Sequence, residues 1–243
     1  MVDFIRNKFR ETRPPFPPTN LTTIESIFMR HNTDKCSTFH NYSRQYETLF
    51  RVYIDKPIKL LEIGVYKGGS ISAWRDVFPN AVTILGVDID YNCKQYQDIG
   101  RNIHVEIGDA TRPEFIKEIN DKYGPFDIIL DDGSHNNSHV IQSFEILFPL
   151  LKDEGLYVVE DTICYKSTSH IDKNYPNHLE YFMKFIPFLN QWRYDSAYGI
   201  QDHCVDPFKI MKKTTNVFER SIDKIDFGVS FIAISKKVRW HWI

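Results

Sequence analysis

The sequence predicts an α/β fold: a seven-stranded, mostly parallel sheet with helices on both faces and an antiparallel pair of strands at its C-terminal end. Two observations lead to this prediction. Between residues 57 and 162, short apolar runs alternate with segments of helical periodicity, and each run ends in a glycine or a carboxylate. Near Gly228, two further apolar runs meet at a tight turn and would close the sheet.

The composition limits the classes of function. The chain has 243 residues, is 42% hydrophobic and carries a formal net charge of −2, so a nucleic-acid surface built on net charge is disfavoured. No apolar run reaches the length of a membrane span, and the first residues lack the apolar core of a signal peptide. The cysteines form no CxxC pair, which disfavours zinc and disulfides and favours the cytoplasm. These are Cys36, Cys93, Cys164 and Cys204.

The segment before residue 57 contains a proline-rich arm and two short helices. Prolines cluster between residues 14 and 18, and Thr22 or Thr23 can cap a helix that runs to about Arg30. A polar and aromatic stretch follows and is too irregular for a helix. A second helix is then indicated by apolar side chains at helical spacing, from Tyr46 to Tyr53.

Five strands and three helices are predicted in the alternating region. The strands are Ile58 to Ile63, Val82 to Val87, Ile103 to Ile107, the run from Phe126 to Asp131, and Leu156 to Val159. Ser70 is expected to cap the first helix, Thr111 and Pro113 to open the second, and Ser138 to begin the third. Gly155 is expected to close the turn before the fifth strand.

A carboxylate follows or ends every one of these strands. Right-handed crossovers bring the C-terminal ends of parallel strands to one edge of a sheet, where ligands bind in open α/β folds. The residues expected at that edge are Glu62, Gly64, Asp88, Asp109, Asp131, Asp132, Glu160 and Asp161.

Three of these positions suit a nucleoside ligand. The glycine-rich turn from Glu62 to Ser70 allows close backbone approach, but its spacing is not GxGxxG, so a dinucleotide site is disfavoured. A carboxylate such as Asp88 can accept from both hydroxyls of a ribose. Asp109 with the Ala110 backbone N–H can read an adenine edge. The alternatives are a structural turn and ordinary loop caps.

On these residues, the sequence resembles the class I S-adenosylmethionine-dependent methyltransferases, a Rossmann-like fold, over residues 57–162 and the final two strands. The resemblance places Glu62, Gly64, Tyr66, Gly68, Ser70 and Asp131 around the cofactor, Asp88 on its ribose, and Asp109 with Ala110 on its adenine. Tyr66 replaces a glycine of the commoner pattern, so the loop is expected to be wider or differently turned. Asp131 faces the methionine end of the cofactor or supports the fold.

A second cluster combines Asp132-x-x-His135 with the Glu160-Asp161 pair, one helix and one strand later. Three carboxylates that meet without a basic partner repel each other unless a cation joins them. Oxygen ligands with spare positions suit Mg²⁺ or Mn²⁺ better than zinc. The alternatives are separate caps and solvated acids, with His135 as an ordinary turn residue.

This cluster resembles the metal-dependent sugar O-methyltransferases of the TylF/macrocin type and the related cephalosporin hydroxylase-like group. The resemblance implies that Asp132, Glu160 and Asp161 bind the metal and that His135 is the general base. The segments Thr33-Asp34-Lys35 and His40-Asn41-Tyr42 resemble, more loosely, the family's cofactor-covering N-terminal segment. The implied acceptor is a hydroxyl of a nucleotide-linked sugar, a polysaccharide unit or a glycosylated natural product. An oxidative enzyme and a non-catalytic cofactor-binding protein remain the alternatives.

The chain accordingly divides into four predicted segments. Residues 1–56 cover the cofactor site, 57–162 form the S-adenosylmethionine-binding core, 163–220 form a variable substrate or lid segment, and 221–243 form the closing strands and tail. The aromatic residues at both ends of the chain favour a homo-oligomer. Candidate acceptor-binding residues in the variable segment are Tyr165, His170, Tyr175, Tyr194, Tyr198 and His203.

Overall fold

The structure is a computed structural model that describes residues 23–189 and 217–237. Its seven-stranded sheet has the order β3-β2-β1-β4-β5-β7-β6, in which the first five strands are parallel and β7 runs antiparallel to both of its neighbours. The predicted fold class is confirmed. The strands are β1 (Lys59–Ile63), β2 (Thr83–Asp88), β3 (Ile103–Ile107), β4 (Phe126–Asp131), β5 (Leu151–Glu160), β6 (Ile222–Gly228) and β7 (Phe231–Lys236).

Seven α-helices surround this sheet in the described ranges. They are α1 (Thr23–Arg30), α2 (Ser43–Phe50), α3 (Gly69–Val77), α4 (Pro113–Tyr123), α5 (Asn137–Leu147), α6 (His178–Met183) and α7 (Val217–Ser221). Short 3₁₀ segments occur at Tyr91–Tyr96, Ile99–Arg101, Phe148–Leu150, Thr162–Lys166 and Thr168–His170. No helix in these parts of the chain is long and apolar enough to cross a membrane.

The sheet register brings the strand ends level with one another. Ile63 at the end of β1 lies opposite both Val87 of β2 and Asp131 of β4, and Asp131 in turn lies opposite Val159 of β5. The residues that follow these four positions therefore leave the sheet at the same height. This register places the glycine-rich turn and the acidic cluster side by side.

Side chains alternate between two cores because successive strand residues point to opposite faces. On one face, strand residues such as Leu60 pack with Phe28 of α1, Tyr46 of α2 and Trp74 of α3, all of which are fully buried. The rings of Phe28 and Tyr46 lie 5.2 and 5.0 Å from the Trp74 ring. The N-terminal helices are thus integral to the first core, and the segment that joins them is held over the sheet edge.

The second core is formed against the opposite face. There Leu61 and neighbouring strand residues pack with Ile116 of α4, Phe144 of α5 and Phe182 of α6. The predicted apolar periodicity of α5 is accounted for by this packing, since its repeating apolar side chains are buried. The predicted helix near Leu179 to Leu189 is observed as α6, His178–Met183.

Two local predictions are wrong: Gly155 does not close a turn, and Ser70 does not cap a helix. Gly155 lies inside β5, because the strand begins at Leu151, and a Cβ there would come within 3.0 Å of the Asp127 carbonyl oxygen. Ser70 does not cap α3, because Gly68 is the N-cap residue in a left-handed conformation and the Ser70 hydroxyl donates instead to Glu62. Close backbone approach accounts for Gly155.

Several predicted features fall outside the described residues. These are the proline-rich arm, Cys204, the C-terminal aromatic tail and three of the candidate acceptor-binding residues, Tyr194, Tyr198 and His203. In the described part of the chain, Cys36, Cys93 and Cys164 are free thiols.

Candidate active site

Gly64 joins the end of β1 to the acidic cluster. Its φ is +93°, and a side chain there would overlap the carbonyl oxygen of Asp132. The Asp132 backbone N–H also donates to Ile63 at 3.0 Å. The turns that follow β1 and β4 are therefore in direct backbone contact, and only glycine fits at that crossing.

The glycine-rich turn keeps a left-handed path through Tyr66. The φ of Tyr66 is +50° and that of Gly68 is +73°, so the tyrosine adopts a conformation that glycine takes more readily. Its side chain is 59% exposed, with the Lys67 ammonium 5.0 Å from the ring centroid. At Gly68, a side chain would fall on the Tyr96 ring.

Asp88 ties this turn to the end of β2. One carboxylate oxygen accepts from the backbone N–H groups of Val65 at 2.8 Å and Tyr66 at 3.1 Å, and the other accepts from Asp90 at 2.9 Å. Burial favours the neutral acid, but these backbone donors lower the pKa of Asp88 overall. Asp88 is thus already the cap of the turn, and its contact with a ribose stays a prediction.

Asp109 holds the loop after β3 in a similar way. Its carboxylate accepts from the Thr111 backbone N–H at 2.9 Å and from the Thr111 hydroxyl at 2.7 Å. Ala110 beside it is buried. The predicted adenine contacts of Asp109 and Ala110 stay predictions.

Glu62 presents a buried carboxylate oxygen that accepts no hydrogen bond. The carboxylate is fully buried, and one oxygen accepts from the Ser70 hydroxyl at 2.7 Å while the other has no hydrogen-bond partner. Burial raises the pKa of Glu62 to about 7, although the Lys35 charge acts in the opposite direction. A buried acceptor of this kind fits the ammonium group of the predicted cofactor, because a cationic donor would satisfy it.

The expectation that the acids meet without a basic partner is wrong, because Lys35 lies among them. Its side chain is fully buried, and its ammonium group contacts Asp132, donates to Glu160 at 2.9 Å and lies 3.6 Å from Glu62. Burial disfavours a charged lysine, but these carboxylates raise the pKa of Lys35 well above its ordinary value. Lys35 is therefore a permanent cation in the cluster.

Glu160 faces this lysine and not the solvent. It is 1% exposed and accepts from the Tyr46 hydroxyl as well as from Lys35. Burial raises the pKa of Glu160, against the attraction of Lys35. Its predicted role as a metal ligand stays a prediction, because its carboxylate is engaged with Lys35 and Tyr46.

Asp161 is held by three side chains at the start of a 3₁₀ turn. One oxygen accepts from His40 at 2.9 Å and from the Tyr42 hydroxyl at 2.6 Å, and the other lies 3.7 Å from His135 Nε2. Burial alone would raise its pKa, but the His40 and Tyr42 hydrogen bonds and the positive potential of the histidines lower the pKa of Asp161 to about 2. This carboxylate is ionised at every working pH.

Asp132, His135 and Asp161 form a candidate metal site. One ligand atom from each lies within 4.8 Å of the others, which makes this the one such group of three among the described residues. The two carboxylates, with positions left open, fit Mg²⁺ or Mn²⁺, which prefer oxygen ligands, and the imidazole lies beside them. Residues from β4 and β5 are thus brought together as predicted, with Glu160 outside the group.

The loop that carries His135 is itself supported. His135 has a φ of +57°, and the next helix turn contributes His139, whose Nδ1 lies 2.8 Å from the Ser134 hydroxyl. The His135 ring lies 6.3 Å from that of His170, one of the candidate acceptor-binding residues. The predicted base therefore lies at the mouth of the candidate metal site.

Asp131 makes contacts that suit the second of its two predicted roles, support of the fold, and its contact with the cofactor stays a prediction. Its buried carboxylate accepts from the Ser143 hydroxyl of α5 at 2.5 Å and lies 3.3 Å from the Tyr157 hydroxyl. Burial raises the pKa of Asp131. These contacts lie on the second core face, so in the structure Asp131 supports the packing of α5 on the sheet.

An apolar groove of about 400 Å³ begins one residue after Asp161. Its floor is formed by α6 and by the turn between β6 and β7. Tyr165 lines it, whereas Tyr175 accepts from Gln142 and packs against α5. The lining residues are Thr162, Ile163, Tyr165, Leu179, Met183, Ile186, Phe227, Gly228 and Ser230.

Sequence reasoning missed the roles of Lys35, His40, Tyr42 and Tyr46. It assigned the first three only to a segment that covers the cofactor, whereas their side chains bind the acids of the cluster. A signal was present, since several buried carboxylates require donors, and this stretch supplies cationic and hydroxyl side chains. Spacing alone gave no measure of which donor reaches which acid.

Comparison with known proteins agrees with this geometry. Residues 61–162 match a family described as "Methyltransferase domain". This part of the chain is similar to methyltransferase domains. The match covers β1 to the first residues after β5, which is the part of the chain that builds the edge described above. The predicted resemblance to methyltransferases is confirmed.

Similar proteins occur in Micromonospora and Streptomyces. The chain is 41% identical over 145 residues to mycinamicin VI 2''-O-methyltransferase of Micromonospora griseorubida, covering 57% of this chain and 35% of that protein. It is 33% identical over 146 residues to L-olivosyl-oleandolide 3-O-methyltransferase of Streptomyces antibioticus, covering 57% and 37%. The chain thus matches little more than a third of the length of these relatives.

A solved structure shares both the fold and part of the sequence. The MycE methyltransferase of the mycinamycin biosynthetic pathway, in complex with Mg and SAH, superposes with a TM-score of 0.75 at 27% identity, covering 89% of this chain and 54% of that chain. A second MycE structure, with Mg, SAH and mycinamycin VI, gives 0.73 at 26% identity, covering 92% and 57%. The likeness extends beyond the methyltransferase domain into the flanking segments.

Proposed function

We propose that this chain is an S-adenosylmethionine-dependent, divalent-metal-dependent O-methyltransferase that acts on a sugar hydroxyl. The observation that carries the proposal is the group of Asp132, His135 and Asp161 beside the Gly64 turn. A metal site, a base and a cofactor turn on one sheet edge are what metal-assisted methyl transfer requires. The relatives whose names describe sugar O-methylation support the same activity.

The cofactor would lie along the glycine-rich edge. Glu62, whose buried Oε1 accepts no hydrogen bond and lies 3.6 Å from the Lys35 ammonium, would take the ammonium group, and the Gly64 to Gly68 turn would allow close backbone approach. Asp88 would take a ribose hydroxyl, since a carboxylate has about four acceptor sites and backbone N–H groups occupy three of them here. Tyr66, Ser70, Asp109 and Ala110 complete the proposed set.

Asp132 and Asp161 would hold Mg²⁺ or Mn²⁺, with Glu160 as the further predicted ligand. When bound, the metal supplies a positive charge that stabilises negative charge on the acceptor oxygen. Asp161 is suited to this role because its low pKa keeps it ionised. His40 and Tyr42 would fix the direction of its carboxylate, which leaves the oxygen nearest His135 facing the site.

His135 would act as the general base. A sugar hydroxyl is a poor nucleophile while it keeps its proton, and a neutral imidazole can accept that proton as the oxygen takes the methyl group. The imidazolium that results would lie 3.7 Å from the ionised Asp161 carboxylate, which stabilises its charge. The proton then passes to solvent when the product leaves.

Among the three predicted acceptor classes, the apolar groove favours a glycosylated natural product. The groove begins beside Asp161, so a sugar bound at the metal would direct its attached group into it. Apolar lining residues such as Met183 and Phe227 suit a hydrophobic aglycone better than a nucleoside diphosphate. The MycE complex with mycinamycin VI supports this choice.

We also propose that the enzyme is a cytoplasmic homo-oligomer of carbohydrate biosynthesis. Unpaired cysteines suit a reducing compartment, and the aromatic segments at both ends of the chain suit subunit contacts. Light scattering on the purified chain measures its mass in solution. A monomer at working concentration would contradict the oligomer.

The test is a product assay with the full chain and S-adenosylmethionine. Acceptors should include a glycosylated macrolide, a nucleotide sugar and an oligosaccharide, each with Mg²⁺, with EDTA, and with EDTA followed by excess Mn²⁺. We expect S-adenosylhomocysteine and a methylated glycoside only where metal is present. Activity that is unchanged by EDTA would contradict the metal dependence. An oxidised product without methylation would favour the oxidative alternative.

A further inference from the structure

Lys35 contacts the same carboxylates that are predicted to bind the metal. Its ammonium group touches one oxygen of Asp132 and donates to Glu160 at 2.9 Å, and Asp132 is also a member of the candidate metal group with Asp161 and His135. One carboxylate is therefore shared between a lysine and the cation site. The arrangement places a fixed positive charge beside the position of a divalent metal.

From this contact, and on the basis of the proposed metal dependence, we propose that Lys35 is a built-in counter-cation that competes with the metal for Asp132 and Glu160. Lys35 thereby sets how tightly the metal binds. The ammonium group and Mg²⁺ prefer the same carboxylate oxygens, and like charges close together repel. Weaker metal binding leaves the site exchangeable and keeps positions free for acceptor oxygens.

Lys35 is suited to this role because it is anchored. Its carbonyl accepts from the Tyr42 backbone N–H at 3.0 Å, and its own N–H donates to the Thr33 hydroxyl at 3.4 Å. The side chain is fully enclosed, with its charged end among Glu62, Asp132 and Glu160. A surface lysine could swing into solvent when metal enters, whereas Lys35 has no exposed path.

A purely structural role predicts a different result. If Lys35 only neutralises buried acids, its removal leaves Asp132 and Glu160 without support and metal affinity falls or is unchanged. If Lys35 competes with the metal, its removal frees both carboxylates and removes a repulsive charge. Metal affinity then rises. The direction of the change in metal affinity distinguishes the two roles.

The experiment compares the parent chain with Lys35→Met and with a matched control, Lys236→Met. Lys236 is also buried, but it donates to the carbonyl groups of Phe148 and Pro149, away from the acids. Calorimetry and electron paramagnetic resonance would follow Mn²⁺ binding, and thermal melts with EDTA or Mn²⁺ would follow folding. None of these readouts depends on turnover.

We expect the Mn²⁺ dissociation constant of Lys35→Met to fall by at least about tenfold, because removing one unit charge at a few ångströms from a cation has an effect of this size or larger. Mn²⁺ should also raise the melting temperature of Lys35→Met by more than that of the parent. Lys236→Met should match the parent in both metal responses, although it melts at a lower temperature.

A second variant keeps the test decisive if Lys35→Met is unstable. Lys35→Met/Glu160→Gln removes one positive and one negative charge together, so it should fold in EDTA and bind Mn²⁺ less tightly than Lys35→Met. A Lys35→Met protein that unfolds in EDTA but folds with Mn²⁺ supports the inference. A folded Lys35→Met that binds Mn²⁺ no more tightly than the parent overturns it. If neither parent nor variants bind Mn²⁺, the metal dependence itself fails.

Discussion

Asp161 is the residue at which the N-terminal segment and the loop that carries His135 meet. His40 and Tyr42 hold one of its oxygens, and His135 faces the other. His40 and Tyr42 come from the segment between α1 and α2 and His135 from the loop after β4, and together they keep a largely buried carboxylate ionised. At this scale the site is a set of charged side chains, and the residues that contact each side chain determine its position.

His135→Ala should separate binding from chemistry. Removal of a general base lowers turnover by about 10²–10⁴-fold, while S-adenosylhomocysteine binding, which uses the glycine-rich edge, should change little. Turnover and calorimetric binding are the two measurements. His104→Ala is the control, because His104 lies on β3 against Tyr123, at the far side of the sheet. Equal loss in both variants would contradict the assignment of the base.

Tyr46→Phe should lower stability without disturbing the aromatic core. The hydroxyl donates to the buried Glu160, and its loss leaves that acceptor with fewer partners, which costs about 1.5–3 kcal/mol in the free energy of unfolding. Urea denaturation measures the change. Tyr53→Phe is the matched control, because the Tyr53 hydroxyl donates to an exposed carbonyl of Glu154. A loss in Tyr53→Phe as large as that in Tyr46→Phe would contradict the role of Glu160.

Individual residues were only partly predictable from the sequence. Asp132, His135 and Asp161 could be predicted because they lie at fixed offsets from strand ends, and the parallel register carries such residues to one edge. Lys35 could not, because it reaches the acids from a turn with no regular period. Tertiary packing of α1 and α2, which local sequence does not encode, decides where that turn lies.

At the scale of elements, the contact between the β1 and β4 turns limits what the sheet edge tolerates. Gly64→Ala combines a left-handed φ with an overlap against the Asp132 carbonyl, so it should cost at least about 2 kcal/mol in the free energy of unfolding and displace the Asp132 loop. Gly100→Ala is the control, because a Cβ there meets nothing closer than 3.4 Å. Denaturant melts and Mn²⁺ binding would show whether stability and the metal site are lost together.

Elements were more predictable than their ends. Apolar periodicity predicted β3 at its observed bounds and the start of α5 to within a residue, because core packing imposes that period. The ends depend on single hydrogen bonds: Asn136, and not Ser138, caps α5 by accepting from the Ser138 N–H. Both residues are good caps by type, so the sequence alone could not choose between them.

At the scale of the whole molecule, Glu106 should contribute to the fall in the free energy of unfolding at acidic pH. Its carboxylate pairs with Lys122 and Tyr123 at 2.6 Å each; burial opposes ionisation, but these donors and Lys94 lower the pKa of Glu106 to about 2. Because the pKa of Glu106 is lower in the folded protein, its ionised carboxylate stabilises the fold at pH values above 4.5, the ordinary pKa of a glutamate. This stabilisation is lost as the pH falls toward 2.

Glu106→Gln should therefore flatten the loss of stability between about pH 4.5 and pH 2.5. Because Lys122 is 63% exposed, solvent screening reduces the effect to about 1 kcal/mol. Denaturant midpoints at a series of pH values measure it. Glu118→Gln, on the exposed side of α4, should keep the slope of the parent. A Glu106→Gln curve parallel to that of the parent would contradict the ion pair.

The Tyr42 hydroxyl ties distant parts of the chain to one carboxylate. It donates to Asp161 at 2.6 Å, and its oxygen lies 3.1 Å from the carbonyl oxygen of Ser230, which is 188 positions further along the sequence. During synthesis, the N-terminal segment and the Rossmann-like core leave the ribosome before the final hairpin exists. Asp161 therefore acquires its full set of supports only after β6 and β7 have folded. A nascent chain that stops short of Ser230 would carry His40, Tyr42 and Asp161 without the carbonyl that helps to position the Tyr42 hydroxyl.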